Sequence, residues 1–315
     1  MGGGDMETNI LPIAFKLQNP ITVGGKRWGM VQSTRLYIPG WTFWGCLVRA
    51  LVQQGYGKGA DNPFVAAGAA IDKNLWLSHL WYVACDGNEE NNEFYILLPV
   101  EDENTGRISY CWRNCQNSET VPGEMSVMSV TSTSLLPDKS ALDGSLHVRE
   151  AVSPMFRVGG KLLDVYAVGY IHRKGSDQPE DSLIIKALKS QGLVLGRSSG
   201  VGQGDIVWNE KILKVLFQNI ATCALTITEF EKVFSFTYYH LAADEDSISY
   251  RGEWEPIVLR RFDVEGQKGA GRKIQYFTTA LVPGTELSNG KAGLRCHPAG
   301  LHGCFCLDDI CEKTT

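Results

Sequence analysis

The sequence predicts an α+β protein, on three observations. Segments alternating apolar and polar residues are mixed with a few of helical spacing, without a regular βαβα succession. The 315 residues are 43% hydrophobic and 21% charged, which provides a packed core and excludes disorder. No fixed-period repeat and no run of about 18 apolar residues occurs, which excludes a solenoid and a transmembrane helix. At roughly 100–200 residues per domain, the length predicts two domains, or one large domain carrying insertions, with a boundary near 207–222.

The elements follow in order. Ile10 to Leu17 reads as a strand with Ile13, Phe15 and Leu17 on one face, ended by Asn19-Pro20. Ile21-Thr-Val23 is a short extended piece, and Gly24-Gly25 predicts a turn after it. Pro39 keeps a helix from running into it, and Thr42 is the expected cap of the helix that follows. In that helix Phe43, Cys46, Leu47, Ala50 and Leu51 recur at three and four, and Gly55 closes it. Leu75 to Ala84 and Glu93 to Val100 read as strands, and the polar stretch from Cys111 to Glu124 as an excursion from the core. Further strands are expected at Leu146 to Val148 and Leu162 to Ile171. A helix capped at Asp181-Ser182 and closed by Gly192 comes next, then the strand Leu193 to Gly196. Beyond Ile206 the pattern returns to strands at Ala224 to Ile227, Val233 to His240 and Gln275 to Leu281.

The net charge of −5 is unlike a typical nucleic-acid binder, but much of the acid is local, in Asp86 to Glu93 and Glu101 to Glu103. The basic residues cluster at Lys26-Arg27, His172-Arg173-Lys174, Arg260-Arg261 and Lys268 to Lys273. Such clusters are commonly solvated turns. Nine cysteines without framework spacing predict a reducing compartment, and Met1 to Met6 lacks the basic and apolar regions of a secretory signal. The expectation is a cytoplasmic protein with no membrane partner.

The sharpest local signal is Gly196-Arg-Ser-Ser-Gly-Val-Gly-Gln-Gly204, with four glycines in nine residues. Such a loop allows close backbone approach, and its successive N–H groups can form an anion-binding nest. It lacks the Gly-Lys-Ser/Thr ending of a P-loop and the βαβ setting of a dinucleotide site, and alone it reads equally well as a tight interstrand turn.

Three other segments change its weight. Ile38-Pro-Gly to Gly45 opens the first helix; Asp138-Lys-Ser-Ala-Leu-Asp-Gly-Ser-Leu-His-Val-Arg-Glu150 follows in mid-chain; and Arg261-Phe runs through Gly271-Arg-Lys273 to Leu281-Val-Pro-Gly284. With the helix, strand and Gly-rich loop over 182–204, these resemble the RAMP superfamily, the RRM-like proteins of CRISPR effector complexes. The resemblance spans most of residues 10–290, with Trp41-Thr42 replacing the usual small polar pair. It implies two RRM-like (ferredoxin-like) units with insertions: residues 1–210, with an insertion around 85–125, and residues 211–315. It also implies that the Gly-rich loop and hairpin loops hold RNA backbone. The RNA-binding residues expected on this basis are Gly196, Arg197, Ser198, Ser199, Gly200, Gly202 and Gly204, with Lys26, Arg27, Lys268, Arg272 and Lys273. Backbone subunits of type III complexes carry an Asp before the Ile-Pro-Gly helix that is needed for target cleavage. Here Gly24 to Tyr37 holds no Asp or Glu. The resemblance therefore implies a non-catalytic subunit capping the 5′ tag of the CRISPR guide RNA. Its partners would be that RNA, other effector subunits and, indirectly, target nucleic acid, in a ribonucleoprotein of antiviral defense.

Two other chemistries are weighed. A RAMP endoribonuclease processing CRISPR RNA, the alternative besides a backbone subunit, needs a general base and an acid, for which His147 and His172 are the candidates. His147 alternates with Leu146 and Val148 as an ordinary strand residue does. A structural zinc is the other: Cys296, His297, His302, Cys304, Cys306 and Cys311 set six N/S donors in sixteen residues, and four are enough. The spacing lacks paired Cys-x-x-Cys knuckles, and a Cys-rich tail packing Phe305 and Leu307 in a final strand is the plainer reading. No cofactor is required by either account. Trp41, Trp44, Trp76 and Trp81 can form a base-stacking platform, but residues so placed more often lie in the core or at subunit contacts.

Overall fold

The computed structural model describes residues 10–86, 94–102, 107–114, 117, 119–133, 136–137, 140, 146–174, 188, 193–196, 203–208, 230–234, 238–241, 249–263, 269–290, 293–296, 302 and 304–308. The chain begins with β1 (Ile10–Leu17), β2 (Gly24–Trp28), β3 (Val31–Thr34) and β4 (Tyr37–Ile38). Gly24-Gly25 is strand, not turn: the chain reverses at Gly29, whose φ of +56° suits a glycine. Ile21 makes only a bridge to Val152.

Helix α1 (Gly40–Gln53) buries Phe43, Cys46, Leu47, Ala50 and Leu51, the predicted stripe. Its start differs from expectation. Pro39 is the N-cap and no side chain caps from within; Thr42 already lies in the first turn. The Gly40 N–H instead donates to Nδ1 of His79, 2.9 Å away and 39 residues on. Such distant capping leaves no local sequence mark. Helix α2 (Pro63–Asn74) is a second helix that periodicity missed. Its start has the standard chemistry: Oδ1 of Asn62 accepts from the N–H groups of Phe64 and Val65, and Pro63 occupies the first turn. The two helices pack closely at Gly68, where a Cβ would sit 2.8 Å from the Trp44 ring.

Next come β5 (Leu75–Leu77) and β6 (Leu80–Cys85), two strands where one was expected. Ser78 and His79 separate them, and Ser78 is pinned to the facing strand by bonds with both the N–H and the C=O of Tyr170. Strands β7 (Phe94–Asp102), β8 (Arg107–Asn114) and β9 (Thr120–Pro122) extend the sheet outward. The stretch from Cys111 to Glu124 is thus no excursion. Trp112 is fully buried, stacks on Phe156 at 4.6 Å between ring centres, and donates its indole N–H to Ser126 Oγ.

The first unit is completed by β10 (Val127–Ser132), β11 (His147–Val152), β12 (Met155–Val158), β13 (Lys161–Arg173), β14 (Leu193–Gly196) and β15 (Gln203–Trp208). In the main sheet β15, β1, β13 and β6 lie side by side, all antiparallel. Spatially these are the fourth, first, third and second strands of a ferredoxin-like unit. Ile13, Phe15, Leu163, Val165 and Ala167 face a core shared with α1 and α2; Ala14, Val83, Tyr166 and Val168 form a second cluster. Of the helix expected over 182–191, only Leu188 lies within the described residues; it is helical and buried in the core. A smaller sheet runs β10–β11–β3–β2.

Beyond residue 229 the described chain is strands: β16 (Phe230–Phe234), β17 (Tyr238–Leu241), β18 (Ser249–Arg251), β19 (Trp254–Asp263), β20 (Gly269–Leu281), β21 (Glu286–Gly290), β22 (Gly293–Cys296) and β23 (Cys304–Asp308). The strand expected at Ala224 to Ile227 lies outside the described residues. In the larger sheet here, β23, β17, β20 and β19 repeat the ferredoxin-like order, with β22 added beyond β23. The described residues hold no helix in this part, and β23 runs parallel to β17. The α+β class is therefore correct, with the antiparallel ferredoxin-like strand order seen in the first unit.

Candidate nucleic-acid interface

The Gly-rich segment joins two paired strands. Gly196 ends β14 opposite Gln203, and Leu195 faces Gly204 on β15, so residues 197–202 form the connection of a hairpin at one edge of the main sheet. Leu195 is fully buried beneath α1 and roots that hairpin in the core. Arg197, Ser198, Ser199, Gly200 and Gly202 themselves lie outside the described residues. Lys26 and Arg27 sit on β2, the outer strand of the small sheet, where Arg27 is exposed.

The third predicted group lies on the β19–β20 hairpin. Lys273 pairs with Arg261 and Ile274 with Arg260, with bulges near both, and Arg272 precedes them on β20. Lys268 lies outside the described residues. Burial changes along this hairpin. Ile257, Ala280 and Leu281 are buried, while Phe277 and Ile274 are exposed. The buried end rests on the first unit through Tyr37, Trp41, Trp81 and Tyr110. An ion pair between Arg35 and Glu255 adds to the contact, and Arg35 also donates to Gly24 O and the Tyr37 hydroxyl, both at 2.9 Å. No local pattern marks this junction, whose charged partners are 220 residues apart.

The tryptophans are not an open platform. Trp76 is buried against Tyr170, Trp81 neighbours the same ring, Trp41 and Trp81 join the contact with the second unit, and Trp44 stacks on His302. His79 lies at this contact too, its ring stacked on Tyr37. Burial, and next the Arg35 charge, lower its pKa to about 3, so it is a neutral acceptor. Burial pushes the Cys46 thiol up to about 12, which makes it unreactive.

The catalytic alternatives are not brought together. His147 is on β11 of the small sheet, with Nε2 2.7 Å from Ser132 Oγ. His172 is on β13 of the main sheet, its pKa lowered by burial and then by Lys174. The Cys/His tail is described only in part. Cys296 pairs with Phe305 rather than with Cys304 or Cys306, and His297 and Cys311 lie outside the described residues. His302 departs furthest from expectation. It is fully buried, its Nδ1 accepts from the Leu77 N–H at 3.2 Å, and its Nε2 lies 3.0 Å from Asp72 Oδ1. With one nitrogen accepting and the other donating, the ring has no lone pair for a metal in this arrangement. It fastens the tail to α2 and β5. Among the described residues no group of three or more His, Cys, Asp or Glu could hold a metal ion. Nor is any described helix long and apolar enough to cross a membrane.

No family model matches the sequence, and no curated protein matches it. Solved structures do resemble the fold. A chain of a type III-B Cmr-β complex, bound to cognate target RNA and AMPPnP, is similar over 89% of this chain and 86% of its own, at 11% identity and a TM-score of 0.51. A chain of the Csm3–Csm4 subcomplex of a type III-A CRISPR–Cas interference complex covers 90% and 95%, at 10% identity and a TM-score of 0.40. The first likeness establishes a shared fold across nearly the whole chain; the second is too low to add to it.

Proposed function

We propose that this chain is a non-catalytic RNA-binding subunit of a type III-like CRISPR effector complex that grips the 5′ tag of the guide RNA. The observation that carries the reading is the Gly-rich connection at the edge of a ferredoxin-like sheet, in a fold shared with a chain of a type III-B complex. A glycine-rich backbone suits phosphates, because successive N–H groups can form an anion-binding nest with no Cβ in the way. The second support is the lack of any Asp or Glu between Gly24 and Tyr37, which leaves no carboxylate there for metal-assisted cleavage. The basic hairpin 268–273 adds phosphate contacts, and the other effector subunits and the target strand are reached through the same complex.

The test is to sequence RNA co-purifying with the chain from cells carrying CRISPR arrays. Guides sharing one 5′ tag are expected, together with their loss in Gly200→Trp and Gly202→Trp variants. Recovery of random RNA, or of none, would remove the capping role. Incubation of the bound guide with the purified chain is expected to leave it uncut.

A further inference from the structure

One exposed feature is not used by that reading. Trp28 is 69% exposed, more than any other tryptophan among the described residues whose burial is given, and Met30 in the same turn is 55% exposed. An exposed indole on a frayed loop would mean little, but this one is held. Trp28 and Val31 close a two-residue hairpin turn, and Gly29 takes the positive φ that such a turn requires. Arg27 Nε–H donates to Gly29 O at 3.2 Å, and the Val148 N–H donates to Met30 O at 2.9 Å, tying the tip to β11.

The surroundings are basic in a chain whose net charge is −5. Gly24 to Tyr37 has three basic residues and no acidic one. Arg35 is engaged with Glu255, which leaves Lys26 and Arg27 next to Trp28 in sequence. On the neighbouring strand Arg149 is paired with Gln32, one residue beyond Val31. The carboxylate of that strand, Glu150, accepts from the Thr34 N–H, towards the far end of the hairpin. Residues paired across a sheet share a face, so Arg27, Gln32 and Arg149 lie on the face opposite Trp28 and Val31. Because β2 is the outer strand, an RNA strand crossing the sheet edge can meet the ring with a base and Arg27 with a phosphate.

We propose that the Trp28–Val31 turn is a stacking wedge for an unpaired RNA base, with Arg27 taking a neighbouring phosphate. This rests on the RNA-binding reading above and adds a contact remote in sequence from the Gly-rich hairpin. An indole face accepts any base, so the wedge would tolerate sequence and select single strands.

The experiment uses the full chain and a single-stranded RNA 20-mer carrying one 2-aminopurine, with affinity measured across salt concentrations. Trp28→Ala is expected to weaken binding by about 10- to 100-fold with an unchanged salt slope, and Trp28→Phe to restore most of it. Arg27→Ala is expected to lower the salt slope by about 0.7. Equal thermal unfolding of the variants confirms that an exposed side chain was removed without loss of fold. If the unaltered chain binds RNA and Trp28→Ala binds equally well, the wedge is wrong and the functional reading survives. The wedge is equally wrong if phenylalanine fails to restore binding, or if the variant keeps its RNA affinity but loses co-purifying protein subunits. If the unaltered chain binds no RNA, both readings fall together.

Discussion

The two larger sheets share a strand order but differ in what fills them. The main sheet is closed by α1 and α2 on one side and has a second apolar cluster of its own, around Tyr166 and Val168. Among the described side chains of the β19–β20 hairpin, Ile257, Ala280 and Leu281 are buried at one end, while further along β20 Ile274 and Phe277 are 55% and 61% exposed. The buried end, Ile257 and Ala280, packs with Tyr37 of the first unit. The first unit thus carries its own core, and the hairpin borrows part of its core from that unit. A β-hairpin is only marginally stable by itself in water, so a root in a preformed core is what allows a long arm to stay ordered. An arm of this kind can present basic residues away from the body without losing its bearing.

The largest effect should come from breaking the side that carries its own core. Gly169 lies in the middle of β13, where an added Cβ would meet His79 O at 2.5 Å and Ser78 Oγ and Leu80 Cδ2 at 2.7 Å. The His79 carbonyl is held between β5 and β6, both paired to β13, and cannot withdraw, so Gly169→Val is expected to cost about 3 kcal/mol or more, at the upper end of overpacking. In urea denaturation, signals from both units should fall at one lower midpoint. A second unit that kept its own midpoint would show that its core is not borrowed.

Arg35→Ala tests the contact itself and should have a smaller effect. The ion pair with Glu255 is mostly covered, with 20% and 31% of the side chains exposed. Removing one partner is expected to cost about 2 kcal/mol, chiefly by taking the guanidinium from a mostly covered carboxylate. Limited proteolysis within 249–290 should accelerate while the first unit keeps its midpoint. The exchange Arg35→Glu with Glu255→Arg should recover part of the loss. If cleavage is no faster in the single variant, apolar packing alone holds the arm.

The same division governs what could be read from the sequence. Strand β1 and helix α1 were legible because their apolar residues repeat at two and at three to four, and burial follows that pattern. The α2 start was also written, in Asn62-Pro63, but a helix whose buried residues are Ala67, Gly68, Ile71 and Asn74, with Ile71 the one large apolar side chain among them, shows no strong apolar stripe. The features that no local pattern carries depend on distant pairs. Gly169 explains the break between β5 and β6, His79 caps α1, and His302 lies beside Asp72 from 230 residues away. His302 reads as a ligand because its donor type is visible in sequence and the occupancy of its two nitrogens is not. For the interface, the glycines and basic clusters were legible by composition, whereas Trp28 became informative only once the turn was seen to hold it in solvent.

His79 gives the smallest effect and the finest test, since it sits at the root of the arm and caps the helix beside it. Its pKa is about 3 in the folded chain against an ordinary 6.5, because burial opposes the charged ring and Arg35 adds to that. Below pH 6.5 the unfolded chain takes up a proton that the native chain refuses, so stability falls as pH falls. The slope approaches about 1.4 kcal/mol per pH unit and ends near pH 3, where the native ring is protonated too; above 6.5 the contribution is flat. His79→Gln keeps an acceptor for the Gly40 N–H and removes the titration. Between pH 7.5 and 5.5 the unaltered chain is therefore expected to lose about 1.4 kcal/mol more than this variant in urea denaturation. Other ionisable groups contribute to both proteins and cancel in the difference. Parallel pH profiles would mean that His79 can be protonated in place, and so that water reaches the root of the arm.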